Sequence, residues 1–129
     1  MSQSNIERVK SVYAAFGHRD MEEIARLMSP EIVIEQSTEL PWGGRYQGLQ
    51  GLTMFFTALL ANVNSSLVFE RFLDAGDHVV VIGWTRGTTV KDGRAFDVPI
   101  AHVWKIRDGQ LASFRPFIDN PTMLAALSK

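Results

Sequence analysis

Two residues of this sequence are suited by type and surroundings to move protons, His102 and Asp119. His102 interrupts the apolar run Ile100-Ala101-His102-Val103-Trp104, where an imidazole acts as a general acid or donates a hydrogen bond to a ligand carbonyl. Asp119 follows Phe117 and Ile118, and a carboxylate whose pKa is lifted by apolar neighbours is a usable base. Together they spell proton abstraction next to a carbonyl, with Asp119 taking the proton and His102 donating to the developing oxyanion. Isomerisation or aldol cyclisation of a hydrophobic carbonyl compound would follow. Structural roles stand beside these. His102 fits a core histidine satisfied by its neighbours, and Asp119 fits a cap for a final helix or a partner for Arg115. An inward Arg115 needs such a partner, because a lone buried guanidinium is very costly, and that pairing would depress the aspartate and oppose a base role.

These side chains must be held by the elements around them. Ser4 with Glu7 reads as a capping box, and Ile6, Val9, Val12, Tyr13 and Phe16 follow at helical spacing, with Gly17 suited to a left-handed stop. Asp20 and Glu23 repeat the start signal ahead of Ile24, Leu27 and Met28, and Pro30 closes that helix. Residues 31–36 read as a short strand, followed by a Gly/Pro-rich loop from Leu40 to Gly48. Leu52, Phe55, Phe56, Leu59 and Val63 then mark a third, amphipathic helix. Strands are expected over 67–73, 78–90, 95–107 and 110–118, with Asp92-Gly93 and Asp108-Gly109 as hairpin turns. Asn120 reads as the cap of a short last helix with Pro121 at its first position.

Two-residue turns set register, and register sets faces. Around Asp108-Gly109 they pair Trp104 with Ser113, His102 with Arg115, Ile100 with Phe117 and Val98 with Asp119, so Arg115, Phe117 and Asp119 share the inner face with His102. Around Asp92-Gly93 they pair Gly83 with His102 and Gly87 with Val98, and glycines there leave volume for a ligand. The predicted pocket is lined by His102, Trp104, Arg115, Phe117 and the helix aromatics Phe55 and Phe56, with Trp42 and Tyr46 as lid or core plug. Val80, Ile82, Trp84, Ala101, Val103, Phe114, Pro116 and Ile118 fall on the other face, and so apolar a surface predicts a homodimer through it.

Composition narrows the field. Thirteen basic and fourteen acidic residues leave a net charge of -1, with no cluster suited to nucleic acid. Cysteine is absent, which fits a reducing, cytoplasmic setting. His18, His78 and His102 occur singly, so neither a metal site nor any other cofactor is expected. The glycines from Gly43 to Gly51 match no nucleotide-binding fingerprint. No aliphatic run approaches the roughly 18 residues of a spanning helix, and the polar Met1–Asn5 start shows no signal peptide. The reading is one α+β domain over residues 1–129, with a curved antiparallel sheet wrapped on N-terminal helices around an apolar pocket.

The stretch Ile100-Ala101-His102-Val103-Trp104-Lys105-Ile106-Arg107-Asp108-Gly109-Gln110-Leu111, ending in Phe117-Ile118-Asp119, resembles SnoaL-like proteins. In that pattern a histidine-bearing strand, an Asp-Gly turn and a strand ending in Asp follow one another. The loop Leu40-Pro41-Trp42-Gly43-Gly44 leading to Phe55-Phe56 is similar too. The resemblance implies the cone-shaped fold of the nuclear transport factor 2/ketosteroid isomerase superfamily, which hosts isomerases, cyclases, epoxide hydrolases and non-catalytic binders. It implies an aspartate base near the end of the last strand, a place Asp119 nearly occupies. The Asp-Arg-Asp set of the epoxide hydrolases is incomplete here, since only Asp119 falls on the inner face and Asp97 points outward.

Overall fold

A computed structural model describes residues 4–128 of the chain. In order, the elements are α1 (Asn5–Gly17), α2 (Met21–Leu27), β1 (Met28–Gln36), β2 (Gly44–Gln47), α3 (Gly48–Asn62), β3 (Val63–Ala75), β4 (His78–Thr89), β5 (Ala95–Arg107), β6 (Gln110–Ile118) and α4 (Asn120–Leu127). The strands form one curved α+β sheet in the order β2-β1-β6-β5-β4-β3. Every ladder is antiparallel except β1 against β6, so the sheet is mixed. Among the described residues no helix is long and apolar enough to cross a membrane.

Local chemistry explains the helix ends. Ser4 Oγ accepts from the Glu7 amide at 3.2 Å, and Asp20 Oδ1 accepts from the Glu23 amide at 3.1 Å, each satisfying an amide that a first helical turn leaves without a partner. At the end of α1 the left-handed residue is Arg19, with φ 55°, and not Gly17. Val9, Val12, Tyr13 and Phe16 then turn one stripe of α1 onto the concave sheet face, where Leu52, Phe55 and Phe56 of α3 join them.

Register decides what that concave face contains. Asp108 and Gly109 both have positive φ, 52° and 76°, as a tight two-residue hairpin turn requires. The pairs Arg107–Gln110 and Ile106–Leu111 follow from it, but the next is Lys105–Ser113, leaving Ala112 without a partner. This β-bulge moves the rest of β6 by one residue, and a one-residue slip exchanges the faces of a strand. His102 therefore pairs with Pro116 and Trp104 with Phe114. Phe114 and Pro116 are buried beneath the sheet, and Ile118 joins them at the cavity wall. Arg115 and Phe117 point outward, against the expectation from a regular hairpin, and Phe117 is 51% exposed.

The other hairpin behaves differently. Thr89 and Arg94 close it, with the Thr89 amide donating to the Arg94 carbonyl at 2.9 Å, so the loop holds four residues. The register moves by two: Gly83 faces Ile100 and Gly87 faces Phe96, while Val81 faces His102. Faces are conserved by an even slip, so both glycines remain on the inner side. They leave no room for a ligand, however. A Cβ on Gly83 would stand 2.1 Å from the Val68 carbonyl oxygen, and one on Gly87 1.9 Å from that of Asn64. These glycines let the β3 backbone fold closely over β4.

Candidate functional site

The inner face of β5 presents Phe96, Val98, Ile100, His102, Trp104 and Ile106, all buried. His102 is the one polar member, and α1 supplies what it needs. The Trp104 Nε1–H donates to Tyr13 Oη at 2.8 Å, and Tyr13 Oη lies 2.7 Å from His102 Nδ1. The Tyr13 hydroxyl already accepts from Trp104, and its own proton has one acceptor in reach, His102 Nδ1. The imidazole thus carries its proton on Nε2. Among the described residues Nε2 has no hydrogen-bond partner, yet no buried polar side-chain atom is left unsatisfied. His102 lines the cavity beneath the sheet, and Nε2–H is the donor it has left to offer there.

That cavity is bounded by Val12, Phe16, Phe55, Phe56, Trp104 and Phe114, with His102, Ser65, Thr85, Gln36 and Trp42 as its polar members. The space is about 630 Å³ with its mouth included, and the aromatic rings that wall it leave a narrow slot. The Trp104 and Phe114 rings stack at 3.9 Å and His102 meets the Phe114 ring edge-on at 5.0 Å, contacts that fix the imidazole plane. Gln36 is held by donating its Nε2–H to the Pro116 carbonyl at 2.9 Å.

Burial sets the protonation states. His102 is only 6% exposed, and desolvation pushes its pKa down from 6.5 to about 3, so the ring is neutral over the ordinary pH range. Desolvation also pushes the Tyr13 phenol up, partly offset by the Trp104 N–H. The cavity therefore offers a neutral, oriented N–H donor in apolar surroundings. Among the described residues no carboxylate lines it.

Several expected site residues are brought together here: His102, Trp104, Phe55, Phe56 and Trp42 all border the cavity. Tyr46 does not. Its hydroxyl donates to the Trp42 carbonyl at 3.1 Å and its ring packs on Phe55 at 5.4 Å, so it buttresses the wall from behind. Arg115 and Phe117 are removed by the bulge. Arg115 lies on the convex side, 3.5 Å from Glu35 and with its guanidinium over the Phe117 ring, so its pairing with Asp119 is not found. Asp119 is exposed and caps α4, accepting from the Thr122 amide at 3.2 Å. Asp119, and not Asn120, is thus the cap. The residue that sequence reasoning passed over is Tyr13. Its signal was a hydroxyl set among Val9, Val12 and Phe16 on an otherwise apolar helix stripe, where it must find a buried partner. Ser65, Thr85 and Gln36 were likewise unforeseen. Among the described residues no group of three histidine, cysteine or carboxylate side chains is placed to hold a metal.

Comparison with known proteins bears on this arrangement. A family model for the SnoaL-like domain matches residues 9–114. Among solved structures, a nuclear transport factor 2-like protein from Burkholderia pseudomallei K96243 is 24% identical, with a TM-score of 0.91 over 98% of this chain and 100% of that one. TerC, co-crystallised with polyporic acid, is 26% identical with a TM-score of 0.89, covering 97% of this chain and 98% of its own. A Jannaschia sp. CCS1 protein, proposed as a SnoaL-like polyketide cyclase, is 22% identical with a TM-score of 0.79, covering 99% and 97% of the two chains. No curated protein matches the sequence.

Proposed function

The chain belongs to the SnoaL-like domain family, and from that footing we propose that it binds a small hydrophobic molecule whose carbonyl oxygen accepts from His102 Nε2–H. The observation that carries this reading is the Trp104–Tyr13–His102 chain, which spends three buried polar groups to aim one neutral donor into an apolar slot. Binding in a narrow slot suits a flat ligand, and the co-crystallisation of the similar TerC with polyporic acid supports a small-molecule role for this scaffold. Chemistry of the isomerase or cyclase kind would draw on His102 as oxyanion donor. With Asp119 at the surface, abstraction by that carboxylate loses its support, and a binding role without chemistry fits the site better. The test uses 2-acetylnaphthalene, a flat ketone. Its carbonyl stretch should shift to lower frequency on binding, and His102→Phe should abolish that shift and weaken binding about tenfold, the worth of one hydrogen bond. An unshifted carbonyl in the wild type would sink the reading.

A second copy of the chain is the partner proposed for the convex face. Val68, Leu73 and Phe117 are exposed there, flanking the half-buried Val80, Ile82, Trp84, Ala101 and Val103. The bulge removes Phe114, Pro116 and Ile118 from this surface and adds Phe117. A contiguous apolar strip on a curved sheet is suited to a self-complementary two-fold contact. Trp84→Glu should convert a dimer to a monomer in light scattering; a dimer of unchanged stability would place the contact elsewhere.

A further inference from the structure

A groove beside the cavity carries a feature that the binding reading leaves unused. It is bounded by Arg19, Arg86, Asn64, Ser66 and Thr88, and it shares Tyr13, Phe16, Ser65 and Leu67 with the cavity as a common wall. Among the described residues two arginines line it and no carboxylate does. Arg86 is committed to Asp97 at 2.9 Å. Arg19 is not committed to any carboxylate: its Nη1–H donates to the Phe16 carbonyl at 2.7 Å and its Nη2–H to the Ser65 carbonyl at 2.8 Å. A guanidinium has five N–H donors, so three of them find no acceptor among the described residues.

The setting of Arg19 is specific. Its backbone is left-handed, φ 55°, a conformation in which glycine would be unstrained. The side chain of an arginine there sits over the Phe16 ring, with Cζ 4.2 Å from its centroid, and is tied to both α1 and β3. The guanidinium is thereby held rigid, half-buried and positively charged at the rim of the groove, where a fork of parallel N–H groups suits a planar carboxylate. Phe16 beneath it and Tyr13 beside His102 lie one turn apart on α1, about 5 Å along the helix axis.

Resting on the cavity reading above, we propose that Arg19 is an anion anchor and that the ligand is an aromatic acid. Its apolar body occupies the slot with a ketone oxygen on His102 Nε2–H, and its carboxylate meets the free N–H groups of Arg19. The nearest rival is structural, with Arg19 as a strut that ties α1 to β3 and touches no ligand.

A matched pair of probes separates these, 6-acetyl-2-naphthoate and the neutral 2-acetylnaphthalene, titrated against protein labelled with 15N and followed at the Arg19 Nε and His102 ring signals. The expected result is that the acetylnaphthoate shifts both signals and binds at least tenfold tighter than the neutral ketone. Arg19→Gln should erase that preference while leaving affinity for the neutral ketone within threefold, and Arg19→Lys should restore part of it. If Arg19→Gln weakens both probes equally and lowers the melting temperature, Arg19 is a strut and the anchor is overturned. If the acetylnaphthoate moves His102 but not Arg19, the anchor fails while the cavity reading stands. If neither probe moves His102, both fall together.

Discussion

β5 and β6 lie side by side in the sheet, yet they treat their polar residues in opposite ways. β5 takes His102 into the core, 6% exposed and bonded to Tyr13. β6 sends Arg115 to the convex side and passes Asp119 to the surface beyond its end. The difference lies in what each group needs when water is removed. Imidazole has a neutral form, and Tyr13 of α1 satisfies its Nδ1 while Nε2–H is left to the cavity. Guanidinium has no neutral form to retreat to, and an aspartate would need several donors or a paired cation. A strand can admit the first and must turn the second away, and the bulge at Ala112 is the device that does so.

Inserting one alanine between Ser113 and Phe114 should break that contrast most completely. With Lys105–Ser113 kept, the added residue faces Trp104 and Arg115 comes opposite His102, which drives Arg115 and Phe117 inward and expels Phe114 and Pro116. Losing a buried phenylalanine alone costs about 3–5 kcal/mol, and an unpaired buried cation adds several more. The sum is comparable to the whole stability of a domain, about 5–15 kcal/mol. The expected outcome is loss of near-ultraviolet circular dichroism and of a cooperative melt. An insertion variant melting within a few degrees of the wild type would show that register along β6 does not govern these faces.

The second way to sharpen the comparison is pH. His102 has its pKa lowered by desolvation to about 3 in the folded chain, below the ordinary 6.5 of the unfolded one. Between these values the unfolded state binds the extra proton, so stability is fully present above about pH 6.5 and is lost as pH falls toward 3. One proton corresponds to a slope of up to about 1.4 kcal/mol per pH unit. Denaturant melts from pH 7 to 4 should show this steepness in the wild type and a slope shallower by about one proton in His102→Asn. Parallel slopes would mean that the imidazole is already charged or already exposed in the fold.

What the sequence made legible follows the same division. His102 and its apolar partners on β5 could be placed because strand alternation is strict within one strand, and even the misjudged loop after Thr89 moved the ladder by two and kept every face. Phe55, Phe56 and Trp42 were equally readable from helical spacing and from an aromatic in a glycine-rich loop. β6 was not, since its faces were inferred across a turn and an odd slip inverts them all. A local trace of the bulge was nevertheless present. Apolar residues step from Leu111 to Phe114 by three and then to Pro116 and Ile118 by two, and the extra step falls at the unpaired Ala112. Tyr13 was hidden for another reason: its role depends on a partner 89 positions away on β5, which no local pattern encodes.

The smallest expected effect concerns Asp119, and it decides whether the surface carboxylate has any part in the site. Its Oδ1 accepts from the Thr122 amide at the start of α4, and the next residues, Asn120 and Pro121, enter the helix directly. A capping side chain is worth about 1 kcal/mol when replaced by alanine and close to nothing when replaced by asparagine, which offers the same acceptor oxygen. Asp119→Ala should accordingly lower stability by about 1 kcal/mol, while Asp119→Asn stays within about 0.5 kcal/mol of the wild type. Neither should change the affinity for 2-acetylnaphthalene, because the carboxylate does not border the cavity. A catalytic base would give the reverse ordering. Asparagine would keep the fold and cost about 100-fold in turnover of any substrate found, with stability untouched. A paired buried carboxylate would give a third pattern, a loss of about 3–5 kcal/mol for asparagine and alanine alike. The asparagine variant is therefore the informative one, since the cap alone predicts that it changes neither stability nor binding.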